Sequence, residues 1–341
     1  MKVATIIAPY TIEISQMEIP QIQDDEVLLK IESMGLCGSD MQIYQGLHKY
    51  MTFPVIPGHE FAATVVKVGK NVQGFQLNDL VTMDPKITCG KCYPCEINRP
   101  NACEAIKVMG VHAPGAAMEY IVGKPDRLHK VSCELNSDIA ALVEPLAVAV
   151  GSINNCGSAV VGANVVVVGA GTIGNLTAQA ARAMGAGKVM LCDINPYKLE
   201  LAKNCEIDYR LDISNITLKD AILKHFGGHR KADIIFECTG AEASFAGILD
   251  ASRGSSIIVI TGLFKQPVLF EVPRVQRRDI KIIGSHMYVH DDFAMALELL
   301  TKGKIYVQDF ISRIYDFDQI NNALYDTANN SGEILKTIIR F

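Results

Sequence analysis

The sequence contains no uninterrupted apolar run that approaches the roughly 20 residues of a membrane-spanning helix. It also has no excess of basic residues, since 37 acidic residues outnumber 32 basic ones. The first absence predicts no membrane contact, and the second argues against a nucleic-acid surface, which normally needs a basic face. Residues 1–20 lack the apolar core of a signal peptide. We therefore expect a cytoplasmic protein that acts on a small molecule.

The chain is long enough for about two domains, and its pattern changes once along its length. Up to about residue 128, short strand-like runs are separated by glycine, asparagine and proline, which is typical of a β-barrel or sandwich. From about residue 164, strands alternate with helices, which predicts a doubly wound parallel sheet. The fold class is therefore α/β, with a β domain beside a parallel sheet.

Ten cysteines are present, and four of them fall within 15 residues: Cys89, Cys92, Cys95 and Cys103. Without a secretory signal, such a cluster is more typical of a metal site than of disulfides. Four thiolates suit tetrahedral zinc and leave no open position, so the predicted zinc is structural. Free thiols or two disulfides are the alternative interpretation.

A glycine-rich turn follows the apolar run 165–168, and a helical stretch follows the turn. Gly169 permits a tight turn, Gly171 lets the backbone approach a pyrophosphate, and Gly174 allows close packing of the helix on the strand. Asp193 lies 24 residues after Gly169, where it would bind the adenosine ribose and repel a 2′-phosphate. The pattern predicts an NAD site, and the alternative is a structural turn with Asp193 as a helix cap. Other expected cofactor contacts are Thr172, Ile173, Lys198, Thr239 and Gly262.

Several further residues have metal-ligand chemistry but lie far apart in the sequence. Cys37 stands in Gly-Leu-Cys-Gly-Ser-Asp, His59 and Glu60 stand in Pro-Gly-His-Glu, and Glu144 stands in Val-Glu-Pro-Leu. Spacing alone does not assign them to one site, because a fold must bring such distant residues together. A lone histidine is more often a surface or core residue than a ligand.

These motifs occur in the order seen in zinc-dependent medium-chain alcohol dehydrogenases, which the whole chain resembles. The Glu-Pro-Leu element at 144–146 is similar to the sorbitol dehydrogenase branch. The elements at 262–265 and 284–286 are similar to bacterial sugar-acid oxidoreductases of the L-galactonate type. The resemblance implies a GroES-like β-barrel catalytic domain over 1–150 and 286–341. It implies a Rossmann domain over 151–285, with the active site in the cleft between the two.

The resemblance also implies two zinc ions per chain, and it assigns the ligands of the catalytic one. Cys37 and His59 would bind that zinc, with Glu60 and Glu144 as carboxylate ligands, either directly or through a water. Zinc would make the substrate hydroxyl acidic, so that hydride can pass to the nicotinamide of NAD. Ser39 would carry the hydroxyl proton outward.

Two departures from the family pattern affect the expected substrate and proton path. Gln42 replaces the histidine that follows the relay hydroxyl in many relatives, so the relay would end in water or ribose, with His48 as a candidate substitute. Ser285 and His286 stand where sorbitol dehydrogenases carry Arg-Tyr, which argues against sorbitol as the substrate. His286 would either contact the substrate or pack at the domain junction.

The expected reaction is the reversible, NAD-dependent oxidation of a secondary hydroxyl of a polyol or sugar acid. Threonine, butanediol and polyol-phosphate dehydrogenases are alternatives within the family. A zinc- and NAD-binding redox sensor or scaffold without turnover is the alternative outside enzymes. The family forms dimers and tetramers, so we expect a homodimer or homotetramer.

Overall fold

The computed structural model describes residues 1–49 and 51–341, which divide into two compact units. The first unit comprises residues 1–144, 289–297 and 311–341. The second comprises residues 145–288 and 298–310. The second unit includes the segment 298–310, where the side chain of Gln179 exchanges hydrogen bonds with the backbone of Tyr306 (2.7 and 3.1 Å).

The first unit is built mainly from β-strands. Its strands are β1 (Lys2–Ala8), β2 (Thr11–Gln16), β3 (Val27–Leu36), β4 (Glu60–Val68), β5 (Leu80–Met83), β6 (Lys86–Ile87), β7 (Lys107–Val108), β8 (Tyr120–Gly123), β9 (Leu128–Lys130), β16 (Ile311–Asp316) and β17 (Lys336–Arg340). Its helices are α1 (Gly38–Tyr44), α2 (Tyr93–Glu96), α3 (Ser137–Ala140) and α11 (Ile320–Asn329). The main sheet has the order β16-β17-β3-β4-β5-β9, and β8 also pairs with β3.

Strand β3 is the centre of this sheet, and its sequence explains why. Seven of its ten residues are apolar or glycine, and eight are buried, so both faces of the strand lie against other parts of the unit. Met34 and Ile31 of β3 and Phe61 of β4 are fully buried in the core. Because β3 and β4 are antiparallel, the end of β3 lies beside the start of β4, with Gly35 paired to Glu60.

The second unit contains a six-stranded parallel sheet. Its strands are β10 (Asn164–Val168), β11 (Lys188–Asp193), β12 (Tyr209–Asp212), β13 (Ile234–Glu237), β14 (Ile257–Ile260) and β15 (Lys281–Gly284). The order β12-β11-β10-β13-β14-β15 is the doubly wound order 3-2-1-4-5-6 of dinucleotide-binding sheets. All five residues of β10 are buried, as a continuous β-branched run predicts.

Helices flank these strands in the sequence, and most follow the predicted pattern. They are α4 (Val143–Asn154), α5 (Thr172–Ala183), α6 (Pro196–Leu201), α7 (Leu218–Arg230), α8 (Glu242–Ala251), α9 (Val272–Arg277) and α10 (His290–Thr301). The predicted helices after Gly171, after Asn195 and near Asp291 correspond to α5, α6 and α10. Asn195 caps α6 through its side chain, and Pro196 takes the first helical position, as expected.

One segment of the described chain, Ser137–Asn154, is long and apolar enough to cross a membrane by length and composition. Its mean hydropathy is 1.2 over 18 residues, but 78% of it is buried inside the protein. That burial is typical of a core helix.

Candidate metal centres and cofactor site

The structure brings three of the sequence-predicted ligands together at the junction of β3 and β4. Cys37 follows β3 directly, His59 precedes β4, and Glu60 is the first residue of β4. The ligand atoms of these three side chains all lie within 4.8 Å of one another. The antiparallel pairing of the two strands is what makes residues 22 positions apart neighbours.

A buried carboxylate organises the backbone around these ligands. Asp40 accepts hydrogen bonds from the N–H groups of Cys37 (2.9 Å) and Gly58 (3.2 Å). One of its oxygens lies 3.8 Å from Nδ1 of His59. Asp40 therefore fixes both ligand-bearing segments and places a negative charge near the histidine ring.

The state of His59 tests whether a metal fits here. Its Nδ1 is buried and has no hydrogen-bond partner in the described part of the chain. Burial lowers the pKa of His59, but the negative charges of Asp40, Cys37 and Glu144 outweigh burial and raise it well above its usual value. A cation is therefore favoured at this ring. A thiolate, an imidazole and a carboxylate form a donor set that zinc accepts.

Glu60 is also held by a residue that the sequence analysis missed. Nζ of Lys336, on β17, lies 2.5 Å from Oε2 of Glu60 and donates to the carbonyl of Leu36 at 3.0 Å. Both side chains of the ion pair are only 1% exposed. The signal in the sequence was a lysine within the apolar run 334–339.

The fit around this ion pair leaves no spare room. A Cβ at Gly35 would lie 2.4 Å from Oε2 of Glu60, so glycine is needed at that position for the carboxylate to reach Lys336. Burial lowers the pKa of Lys336, but Glu60, Cys37 and Glu144 raise it overall. The ammonium therefore stays charged and balances part of the negative charge at the site.

Glu144 lies in the first turn of α4 and is buried. It is close enough to raise the pKa values of His59 and Lys336. It does not belong to the group of side chains whose ligand atoms lie within 4.8 Å of one another in the described chain. The geometry thus places Glu60 nearer than Glu144 to the atoms of Cys37 and His59.

The four clustered cysteines form a second constellation, and their ligand atoms also lie within 4.8 Å of one another. The Sγ atoms of Cys92 and Cys95 are 3.5 Å apart, and those of Cys89 and Cys103 are 3.6 Å apart. A disulfide would need about 2.05 Å, whereas Zn–S bonds of about 2.3 Å in a tetrahedron place sulfurs about 3.8 Å apart. The spacing fits four thiolates around one zinc ion.

The four thiols of this cluster, which we call the cysteine lobe (residues 89–103), also differ in acidity. The N–H of Lys91 and the thiol of Cys92 donate to Cys89 and lower its pKa to about 6, which favours the thiolate form that binds metal. Burial and the neighbouring thiols raise the pKa of Cys95 to about 12. A bound metal would have to displace the proton of Cys95.

The glycine-rich turn lies where the order of the parallel sheet reverses, between β10 and β13. Gly169 has a φ of 103°, which favours glycine, and a Cβ there would lie 2.9 Å from the methyl group of Thr239. A Cβ at Gly174 would lie 1.7 Å from the carbonyl oxygen of Gly169, so α5 needs glycine to pack here. Nothing lies within 4 Å of a Cβ at Gly171, which leaves open space at the N-terminus of α5 for a phosphate.

The Asp193 carboxylate stands at the end of β11 beside this turn. One oxygen accepts from the N–H of Ala170 at 2.5 Å, and the other accepts from the N–H of Asn195 at 2.8 Å. Asp193 therefore ties the turn to the second strand. The remaining lone pairs of its oxygens are available to ribose hydroxyls.

A second predicted cofactor loop, residues 238–240 after β13, contains Thr239 and is organised by Glu237, which the sequence analysis did not single out. This fully buried carboxylate accepts from the hydroxyl and N–H of Thr239, from the N–H of Gly240, and from the hydroxyl of Ser244. Its carbonyl accepts from the N–H of Gly262 at 2.8 Å. Glu237 thus holds Thr239 and Gly262, at the ends of two neighbouring strands, in fixed positions.

The other predicted cofactor residues lie at helix starts around the same edge of the sheet. Thr172 and Ile173 begin α5, and Lys198 lies in the first turn of α6, where its N–H is 3.4 Å from the capping oxygen of Asn195. Their positions suit phosphate and ribose contacts.

The predicted substrate residues belong to different parts of the chain. Ser39 is half-buried on α1, and the N–H of His48 donates to the carbonyl of Gln42 at 3.2 Å, just beyond the same helix. Ser285 and His286 follow β15 in the second unit. The hydroxyl of Ser285 accepts from the side chain of Asn155 at 3.2 Å, and His286 is exposed.

Comparison with known proteins identifies both halves of the chain. Residues 23–133 match the alcohol dehydrogenase GroES-like domain, and residues 172–302 match the zinc-binding dehydrogenase family. The predicted fold class, a GroES-like β domain with a Rossmann sheet, is thereby confirmed.

Individual relatives cover nearly the whole chain. L-galactonate-5-dehydrogenase of Escherichia coli K12 is 31% identical, over 96% of this chain and 95% of its own. Sorbitol dehydrogenase of Halalkalibacterium halodurans is 31% identical, over 92% and 91%. The crystal structure of an alcohol dehydrogenase from E. coli CFT073 with NADH bound matches with a TM-score of 0.92 and 27% identity, over 100% of this chain and 99% of the other.

Proposed function

The chain belongs to the family of zinc-dependent, medium-chain alcohol dehydrogenases, and we propose that it reversibly oxidises a secondary hydroxyl of a polyol or sugar acid with NAD. The observation that carries this proposal is the convergence of Cys37, His59 and Glu60 within 4.8 Å. Relatives named for L-galactonate and sorbitol support the substrate class. In this proposal, the catalytic zinc domain comprises residues 1–150 and 286–341, and the NAD domain comprises residues 151–285.

Each residue of the metal site has a distinct task in this proposal. Cys37, His59 and Glu60 would hold a catalytic zinc, and Glu144 would add a nearby buried carboxylate. One thiolate and one carboxylate would balance the charge of a Zn²⁺ ion held there, and three protein ligands are typical of catalytic zinc. Bound zinc supplies the Lewis acidity that makes the substrate hydroxyl acidic near neutral pH.

Around this centre, other side chains position the ligands and move the proton. Asp40 orients His59, and Lys336 holds Glu60. Ser39 accepts the proton of the substrate hydroxyl and passes it toward solvent. In the net reaction the substrate carbon loses a hydride to bound NAD and the hydroxyl loses its proton, which yields a ketone, NADH and H⁺.

We also propose a structural zinc on Cys89, Cys92, Cys95 and Cys103, a cytoplasmic location and a homodimer or homotetramer. None of the ten cysteines, all within the described residues, forms a disulfide, which fits a reducing compartment. The side chains of Leu263, Leu269 and Val272 are exposed, with Leu269 90% exposed, which supports a contact between subunits that light scattering can measure.

The proposed function is tested by a substrate panel with the zinc-loaded protein and NAD. We expect NADH, measured by its absorbance, to appear with polyols or sugar acids. Compounds whose only hydroxyl is primary should not be oxidised. Threonine, 2,3-butanediol and sugar-alcohol phosphates belong to the panel as the alternatives within the family. A protein that contains two zinc ions and oxidises none of these compounds would instead support a sensor or scaffold.

Asp193→Asn is expected to lower the preference for NADH over NADPH at least about tenfold. The exchange removes the charge that repels a 2′-phosphate, and charged hydrogen bonds contribute about 1.5–3 kcal/mol each. The amide oxygen can replace only one of the two carboxylate oxygens that accept from the N–H groups of Ala170 and Asn195, so the turn keeps one of these two bonds. Fluorescence titration with NADH and NADPH measures both affinities. Asp212→Asn is the control, because Asp212 pairs with Asp193 at the same register of the next strand. An unchanged ratio in Asp193→Asn would remove Asp193 from this role.

A further inference from the structure

A cavity of about 750 Å³ lies in the first unit and shares no lining residue with the metal centres. Its walls come from β1, the loop before His59, and the segments that follow the cysteine lobe: Thr5, Thr52, Pro54, Val55, Ile56, Ala105, Ile106, Lys107, Val111, His112, Ala113 and Pro114. This volume is in the range of small-molecule sites.

The walls of the cavity are fixed by backbone hydrogen bonds. Ile6 and Val55 exchange two such bonds (2.8 and 3.0 Å), and the N–H of Gly115 donates to the carbonyl of Ile56 at 2.8 Å. The N–H of Gly110 donates to the carbonyl of Ala113 at 2.9 Å. These hydrogen bonds tie the segments that form the walls to one another.

The lining has one sign of charge. Lys107 and His112 are its ionisable residues, and no aspartate or glutamate is found among the lining residues that the structure describes. Thr5 and Thr52 add hydroxyl groups. This composition contrasts with the net charge of −5 of the whole chain. It suits a small anion that also carries hydroxyl groups.

Local geometry makes His112 a hydrogen-bond donor. Its Nδ1 accepts from the N–H of Val108 at 3.2 Å. Because Nδ1 is an acceptor, the proton of the neutral ring must be on Nε2. His112 can therefore donate to a carboxylate or phosphate oxygen in its neutral form as well as when it is protonated.

The cavity lies close to the candidate catalytic centre. Ile56 in its wall precedes His59 by three residues. The wall segment that ends at Pro114 continues into residues that bind the loop before His59: the N–H groups of Ala116 and Ala117 donate to the carbonyls of Gly58 and Pro57 at 2.9 and 3.0 Å.

We propose that this cavity receives the anionic end of the substrate, a carboxylate or a phosphate, with Lys107 and His112 as its binding residues. The inference rests on the proposed function, since it concerns the other end of the molecule oxidised at the metal site. It narrows the substrate class to sugar acids and sugar-alcohol phosphates and makes uncharged polyols poor ligands.

The test compares three ligands with one carbon skeleton: galactitol, L-galactonate and galactitol 1-phosphate. Calorimetry on the zinc-loaded protein measures their affinities without turnover. We expect at least one anion to bind about tenfold or more tightly than galactitol, as a charged hydrogen bond provides. Lys107→Gln and His112→Gln should each reduce this gap severalfold. Lys67→Gln, an exposed lysine on β4, is the matched control and should keep it.

The pattern of affinities decides each point separately. Tight binding of L-galactonate alone identifies the carboxylate, and tight binding of galactitol 1-phosphate alone identifies the phosphate. Equal affinity for all three ligands, or a gap that survives both substitutions, overturns the cavity proposal. Selective anion binding without oxidation of any ligand keeps the cavity assignment and contradicts the proposed function. Oxidation of galactitol without tighter anion binding keeps the proposed function and contradicts the cavity assignment.

Discussion

Cys37→Ser is expected to lower kcat/KM at least about a thousandfold and to remove one of two zinc ions per chain. Among the ligands Cys37, His59 and Glu60, the thiolate of Cys37 is the softest donor. It supplies one of the two formal negative charges. Losing the metal removes several kcal/mol of transition-state stabilisation, and each 1.36 kcal/mol is a factor of ten. Metal content measured by atomic absorption and NADH formation with the best substrate of the panel are the two readouts.

The matched control for this substitution is Cys133→Ser, at an exposed thiol outside both clusters. This variant should keep both ions and full activity. Cys95→Ser should lose the other ion and lower the free energy of unfolding, because the cysteine lobe is then no longer closed by metal. If Cys37→Ser keeps two ions and turns over normally, the assignment of the catalytic centre is wrong.

Lys336→Met is expected to lower the free energy of unfolding of the metal-free protein by about 3–5 kcal/mol. Removing one partner of a buried ion pair leaves the other charge uncompensated, and both side chains of the pair are only 1% exposed. The zinc-loaded protein should lose less free energy of unfolding, because bound zinc would offset part of the negative charge of Glu60. Stability that depends on a ligand in this way follows from linkage. Urea unfolding with chelator and with zinc measures both values.

Two further variants separate charge from packing in that experiment. In the metal-free protein, Lys336→Met combined with Glu60→Gln removes both charges and should recover part of the stability that Lys336→Met alone loses, because no uncompensated buried charge remains. Lys30→Met, at a half-buried lysine that pairs with Glu32 and whose side chain is 41% exposed, should change stability by less than about 1 kcal/mol. An equal loss with and without zinc would mean that Lys336 only fills space and does not balance the charge of the ligand set.

The parallel sheet was predictable because its signals are local. The β-branched run 164–168 has no polar residue on either face after Asn164, and the glycines at 169, 171 and 174 follow directly. The structure shows why substitution is excluded there, since a Cβ at Gly174 would overlap the carbonyl of Gly169. Strand β12 and helices α7 to α9 carried weaker patterns and were not predicted. β12 alternates between half-buried and exposed residues, and α9 is only six residues long.

The charged residues behind the site were not predictable in the same way. Lys336 lies 276 residues from Glu60, and the motif that ends at Asp40 does not show that this carboxylate is buried and binds the N–H groups of Cys37 and Gly58. Glu237 looks like the polar end of a strand, yet it is fully buried and holds the second cofactor loop. Such partners depend on strand order, which no short window of sequence contains.

The sequence by itself determined the cysteine lobe and the glycine-rich turn with Asp193. It also determined the change along the chain from a β domain to a parallel α/β sheet. These features depend on contacts between residues close in the chain, so spacing and residue type are sufficient. Only the tertiary structure decided that Cys37, His59 and Glu60 share one place, that Lys336 balances Glu60, and that Lys107 and His112 line a common cavity. Those contacts exist because antiparallel pairing and sheet order bring distant segments together. They are maintained by the free energy of folding of the whole core and not by local interactions.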